Sequence, residues 1–347
     1  MVGDQFVLYL SCRDEKGPLH YADTLCHRFE QYQAQHYPEV RLRVRMGVYA
    51  IEPGCLSASA AIDKANFARK QVHSNTRVSA VQFDKKLEVK QTLTGELLSG
   101  LPQALENGEF KLYLQPKFSP KDLSVIGAEA LTRWIKPDGT VVYPDQFIPI
   151  LEETGLIIPA GRWMMKEAMG KCSEIRKILS EFRMSINISQ VQASKSDVIQ
   201  DISAEMKRTG LPLEAVIVEL TESDLLEQNI NEKHFLTELK RMGISLALDD
   251  FGTGYSNFHY LSELKPEIIK IDRSFTAKAV ADEQEYYLLN QFCTMIHNLD
   301  MKICIEGIES AQEWLKIRKL CPEFTQGYFW GKPCGYEEFV RKFVQEK

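Results

Sequence analysis

Apolar and polar positions follow two different periods along this chain. Residues 6–11 (FVLYLS) form an apolar run, and residues 40–46 (VRLRVRM) alternate, with Val40, Leu42, Val44 and Met46 on one side and Arg41, Arg43 and Arg45 on the other. A period of two predicts strands. Helical spacing predicts helices near 20–34 and near 57–73, the second carrying Ala60, Ala61, Ala65 and Ala68. A further strand is expected at 78–83. Leu93, Leu97, Leu98, Leu101 and Leu105 then recur at helical spacing, which predicts a connecting helix ended by Asn107 and Gly108, with Pro102 marking a kink or a fresh turn.

Beyond that helix the rhythm changes. Short apolar runs occupy 110–115, 125–131, 184–188, 215–220, 244–249, 267–271, 302–306 and 323–327, separated by enough chain for helices. Eight strands alternating with helices predict an α/β fold, a (β/α)8 TIM-like barrel. The insert between the second and third runs is long and is expected to carry an amphipathic helix at about 160–180. The 347 residues leave room for a barrel of about 250 residues and a smaller appended unit. The expected organisation is a partial α+β region at 1–91, a connecting helix at 92–108 and the barrel at 109–347.

Composition narrows the function classes. The apolar content of 44% and charged content of 26% are those of a globular protein, and no apolar run approaches the length of a membrane helix. A formal net charge of -6 provides no general basic field for a nucleic acid polymer, so a phosphate-bearing ligand needs local cations. The eight cysteines include no CxxC pair and follow no signal peptide, which fits reduced thiols and a cytoplasmic location.

The chemistry lies at the ends of the apolar runs. Runs two to seven carry acid, amide or Lys at or beside their C-terminal ends: Glu129, Asn187, Glu219, Asp249 with Asp250, Lys270 with Asp272, and Glu306; Gln326 follows the eighth. A single Glu at such a position is most often a solvated loop residue. The same placement on several strands of a parallel barrel, whose C-terminal ends meet at one face, gathers the carboxylates in a small space. Unpaired buried charge costs several kcal/mol per group, so cations must neutralise the cluster. All-oxygen ligands favour Mg²⁺ or Mn²⁺ over Zn²⁺. Lys270, flanked by Ile268, Ile269 and Ile271, is either a snorkelling side chain or a functional cation. Gly252, Thr253 and Gly254 read as a turn; Asn257 stands where a dinucleotide fingerprint needs its third glycine.

Taken in order, these residues resemble the EAL phosphodiesterase family. Glu129, Ala130 and Leu131, continued by Thr132, Arg133 and Trp134, are similar to its signature, with Gln115 and Pro116 upstream. FIPILEETGLI (147–157), NIS (187–189), ELTES (219–223), DDFGTGYSN (249–257), KIDRSF (270–275), EGIES (306–310) and QGYFWGKP (326–333) follow. The resemblance covers about residues 94–347. It implies a barrel with one antiparallel strand, two Mg²⁺ or Mn²⁺ ions, and hydrolysis of cyclic di-GMP to linear pGpG. It further implies that Glu129, Asn187, Glu219 and Asp249 hold one metal, that Asp249 bridges to a second held also by Asp250, and that Glu306 joins that second site or accepts a proton. Lys270 is implied to hold the attacking water. Gln115, Leu131, Arg133, Asp272 and Gln326 are implied substrate contacts, and Glu222 and Glu309 brace the neighbouring loops. Lys117 after Pro116, and Asn257 with Phe258, are small departures from the pattern.

The N-terminal region resembles the second half of a GGDEF cyclase domain through Gly3, Asp4, Gln5 and Phe6, MGVYAI (46–51) and AIDKANFARK (61–70). Its signature is degenerate, with Val2 for the first glycine and Gln5 for the acid, so cyclase activity is not expected. The first half of such a domain is missing, which suggests a piece cut from a longer protein that in its entirety could be membrane-tethered; this piece itself is expected to make no membrane contact. Three functions stand open: an active phosphodiesterase, a receptor that binds cyclic di-GMP without turning it over, and an interaction scaffold. The intact set Glu129, Asp249, Asp250, Lys270 and Glu306 favours the enzyme. A homodimer through the barrel is also implied by the resemblance.

Overall fold

The computed structural model describes residues 5–11, 17–40, 42–51, 57–72, 78–195, 197–221, 230–252, 261 and 264–345, the stretch 230–232 by its backbone alone. It divides into two units, Met1–Ser99 and Gly100–Lys347. Among the described residues no helix is long and apolar enough to cross a membrane.

In the first unit, helix α1 (Gly17–His36) precedes strand β1 (Met46–Val48), helix α2 (Ala58–Lys70) and strand β2 (Ala80–Gln82). The two strands pair in parallel, Met46 opposite Ala80. Helix α2 starts where the Ser57 hydroxyl accepts the Ala60 N–H at 3.1 Å, satisfying one of the free amides of its first turn. Ala22, Cys26, Ala68, Val72, Ala80 and Phe83 are buried. Among the described residues the strand expected at 6–11 does not form, and the one expected at 40–46 begins only at Met46, as β1. Residues 6–11 and 40–45 have no regular structure where described, and Leu8, Val40 and Leu42 are all more than half exposed. Alternation stabilises a strand only when one face is buried and the backbone has a ladder partner, and among the described residues these segments have neither.

Helix α3 (Lys85–Glu106) carries the chain from the first unit to the second. It begins earlier than the leucine spacing predicts and continues through Pro102. Leu93, Leu97 and Leu101 are buried, while Leu98 is exposed. Asn107 and Gly108 follow the helix, the glycine in a left-handed conformation at φ 67°.

The second unit is a closed ring of eight strands. Strands β3 (Phe110–Phe118) and β4 (Val125–Ile135) form an antiparallel hairpin; a two-residue strand β5 (Val141–Val142) extends β4 outside the ring. The long insert folds as helices α4 (Pro144–Thr154) and α5 (Ile157–Arg176). Then come β6 (Arg183–Asn187), α6 (Gln190–Ala193), α7 (Val198–Thr209), β7 (Val216–Thr221), α8 (Ile230–Met242), β8 (Ser245–Phe251) and β9 (Ile268–Ile271). Helices α9 (Arg273–Ala281) and α10 (Glu283–Asn298) lead to β10 (Lys302–Ile305), and β11 (Phe324–Thr325) closes the ring. From β4 through β6, β7, β8, β9 and β10 to β11 each neighbouring pair is parallel, and β3 runs antiparallel to both β4 and β11.

Side chains alternate between two environments along each strand. Met184, Ile186, Val216, Val218, Leu220, Leu248, Ile269, Ile271, Ile303 and Ile305 pack with Met165, Ala168, Cys172, Phe235 and Leu289 of the surrounding helices. The opposite parity faces the ring's interior, where Ile217, Ala247, Ile268, Cys304 and Phe324 form a separate apolar cluster. Two residues further along the same strands stand Glu219, Asp249, Lys270, Glu306 and Gln326. An apolar layer thus floors a polar one.

Candidate metal centre

Lys270 lies at the middle of the polar layer, 1% exposed. Its ammonium donates to Glu219 Oε2 and Asp249 Oδ2, each at 2.7 Å, and to Glu129 Oε2 at 3.3 Å. Glu306 Oε1 is 2.9 Å from the same nitrogen yet has no hydrogen-bond partner. Three N–H bonds cannot serve four carboxylates, so one acceptor is left over. The remaining partners come from neighbouring strands. Asn187 Nδ2 donates to Glu129 Oε1 at 2.9 Å, and Gln326 Nε2 donates to Glu129 Oε2 at 2.8 Å and to Gln115 Oε1 at 3.0 Å. Gln326 Oε1 is a second buried acceptor without a donor.

The carboxylates respond differently to their surroundings. Burial works against ionisation of Glu219, but Lys117 and Lys270 overcome it and hold the carboxyl down to about 2. For Asp249 burial prevails, aided by Glu306, Glu219 and Glu129 and opposed by Lys270, and the carboxyl is raised well above its ordinary range. Glu306 is raised for the same reason, burial first, with Glu129 adding to it against Lys270. Burial would discharge Lys270, yet the surrounding carboxylates keep its ammonium form favoured.

This donor set fits a hard divalent cation. One oxygen each of Glu129, Glu219 and Asp249 lies within 4.8 Å of the other two, all three residues are buried, and further acceptors lack hydrogen-bond donors. Oxygen-only coordination at the mouth of a barrel suits Mg²⁺ or Mn²⁺.

The other sequence-derived site residues are placed less centrally. Asp250 is exposed, with φ 55°, and its N–H donates to Asp249 Oδ1 at 2.8 Å. It lies outside the buried cluster because consecutive strand residues face opposite ways and the β8–β9 register is irregular there. Arg133 donates to Thr132 O at 2.8 Å, and its guanidinium lies 5.6 and 5.7 Å from the Tyr113 and Tyr143 ring centres. Leu131 is half-buried on β4 opposite Tyr113. Asp272 caps α9, its carboxylate accepting the Ser274 N–H at 2.7 Å. Glu309 is exposed and 3.7 Å from Arg273. Glu222 and residues 253–260, with Asn257 and Phe258, fall outside the described residues.

Lys117, a small departure from the family pattern, is part of the cluster. It is buried on β3, with its ammonium 2.5 Å from Glu219 Oε1 and 2.7 Å from Ser185 Oγ. A period of two from Gln115 was the available signal, but β3 points the opposite way to its neighbours. Counting along it leads down into the barrel, whereas on the other strands it leads to the mouth.

Residues 99–333 match the EAL domain family, and the chain belongs to it. Among its relatives, the bifunctional diguanylate cyclase/cyclic di-GMP phosphodiesterase MucR of Pseudomonas aeruginosa is 29% identical over 97% of this chain and 50% of its own length. The signaling protein YkoW of Bacillus subtilis is 32% identical over 99% of this chain and 43% of its own. The chain therefore spans about half the length of these curated relatives. The EAL enzyme Bd1971 in its cAMP- and cyclic-di-GMP-bound form superposes with a TM-score of 0.68 at 30% identity, covering 72% of this chain and 69% of that one.

Proposed function

We propose that the barrel is a metal-dependent phosphodiesterase that opens cyclic di-GMP to linear pGpG in bacterial second-messenger signalling. The observation that carries this reading is the convergence of Glu129, Glu219, Asp249 and Glu306 from four strands on one buried cation, with acceptor capacity left over. The naming of relatives as cyclic di-GMP phosphodiesterases supports the choice of substrate.

In this reading Glu129, Asn187, Glu219 and Asp249 hold one Mg²⁺ or Mn²⁺, and Asp249 with Asp250 and Glu306 serve a second. Bound there, the ions activate water and stabilise charge on the phosphoryl oxygens. The chain's own groups do the rest. Lys270 orients the attacking water and offsets negative charge developing on phosphorus. Glu306, with its raised proton affinity, is placed to accept the proton the water gives up. Water oxygen adds to phosphorus as the bond from phosphorus to the 3′ oxygen breaks; the water's proton goes to Glu306, the leaving 3′ oxygen takes a proton from solvent, and Glu306 then returns its own to solvent. One opened linkage gives a 5′-phosphate and a free 3′-hydroxyl, which is pGpG. Gln115, Leu131, Arg133, Asp272 and Gln326 are the proposed contacts to the nucleotide, and Glu222 and Glu309 the loop supports. The same reading takes residues 1–91 as a degenerate GGDEF remnant, 92–108 as the connecting helix and 109–347 as a barrel that pairs as a homodimer in the cytoplasm.

Incubation of the purified chain with cyclic di-GMP and Mn²⁺, followed by chromatography, tests the activity. Conversion to pGpG is expected, and Glu129→Ala at matched low metal should abolish it by losing the ion. Ligand retained intact would instead identify a receptor, and neither binding nor turnover a scaffold.

A further inference from the structure

The polar layer rests on a floor that is apolar except at two places. Ser185 stands two residues before Asn187 on β6, and Lys117 enters from β3 in register with Gly127. Lys117 is 5% exposed, and both its described polar contacts point towards the metal centre: Ser185 Oγ and Glu219 Oε1. Glu219 is entirely buried, and its two oxygens are divided between two cations. Oε1 is held from below by Lys117 and Oε2 faces Lys270 and the other carboxylates.

We propose that Lys117 sets the metal selectivity of the centre: by holding Oε1 of Glu219 from beneath, it leaves a bound cation only Oε2 and so disfavours Ca²⁺ relative to Mg²⁺ and Mn²⁺. This rests on the reading of the cluster as a metal centre. Ca²⁺ prefers six to eight oxygens at about 2.3–2.6 Å and readily takes a carboxylate through both oxygens, whereas Mg²⁺ binds in a tight octahedron at about 2.0–2.1 Å. A carboxylate limited to one oxygen suits the smaller ions. Removing Lys117 also deletes a positive charge, which strengthens every divalent cation alike; the selectivity comes from freeing the second Glu219 oxygen for the ion able to use it. Lys117 is a positioning residue in this scheme, acting on the metal through Glu219.

Isothermal titration of the metal-stripped full chain with Mn²⁺, Mg²⁺ and Ca²⁺, comparing wild type with Lys117→Met, reads this directly. Ca²⁺ affinity should rise relative to Mn²⁺ by about tenfold in the variant, the lower end of what such supporting contacts are worth. Equal weakening of both ions, or an unchanged ratio, overturns the proposal while leaving the metal centre standing. Absence of Mn²⁺ binding by the wild type overturns the metal centre and this inference together. Should Lys117→Met fail to fold, the wild-type crystal structure with Mn²⁺ decides. Glu219 bound through one oxygen with the other still on Lys117 supports the proposal, and Glu219 bound through both refutes it.

Discussion

Lys270 and the four carboxylates around it show how much one side chain's setting depends on others. An isolated ammonium buried to this extent would lose its proton, and isolated carboxylates would gain one. Together they keep charges on Lys270 and Glu219 but leave Asp249 and Glu306 with raised proton affinity. A carboxyl raised in the folded state contributes stability that is present below its unfolded value and is lost as pH rises through the folded one. A metal ion needs those same groups ionised, so binding must displace their protons. Mn²⁺ affinity should therefore increase with pH. At mildly acidic pH the heat of binding should vary with the ionisation enthalpy of the buffer, and a heat independent of buffer would contradict this protonation pattern.

At the scale of strands and helices, the antiparallel β3 is the element that departs from the repeat. It brings Gln115 to the mouth and Lys117 to the floor, and it crosses β4 opposite Gly127. Gly127 also abuts β6, where an added Cβ would lie 2.5 Å from the Arg183 carbonyl oxygen. That contact is with backbone and cannot be relieved by a rotamer change, so Gly127→Ala should force β4 and β6 apart and cost about 1–3 kcal/mol. Urea unfolding measures it, and an unshifted midpoint would show that the strands accommodate the methyl group. A second glycine has a different role. Gly307, directly after Glu306, has φ 74°, and a Cβ there would meet Arg273 Cγ at 2.5 Å, so the turn that follows Glu306 requires glycine on both counts.

For the molecule as a whole, the barrel's interior and its helical jacket form separate apolar clusters, and most of the described thiols are sealed within them. Burial pushes Cys172, Cys293 and Cys304 up to about 12, while Cys321 is exposed. Alkylation at mildly alkaline pH should modify Cys321 in the native protein and reach Cys172, Cys293 and Cys304 only after denaturation. Native labelling of Cys304 as fast as Cys321, read by peptide mass analysis, would mean that the barrel interior opens.

Most strands of the barrel were legible in the sequence because an apolar run ends in a polar residue, and in a parallel ring those ends share one face; Glu129 instead lies midway along β4, which runs on to Ile135 in the hairpin with β3. Glu219, Asp249, Lys270 and Glu306 could be singled out on that ground alone. Which of the adjacent pair Asp249 and Asp250 turns inward, and that Asp272 caps a helix while Glu309 pairs on the surface, depended on register and helix geometry that composition does not encode. The alternation at 40–46 suggested a strand, but pairing starts only at Met46, where β1 meets β2, because a ladder partner is a tertiary matter. Lys117 is the clearest case. Periodicity records spacing along a strand but not the strand's direction, and only the closed ring, with β3 reversed, decided that this lysine lies beneath the carboxylates and holds one of them.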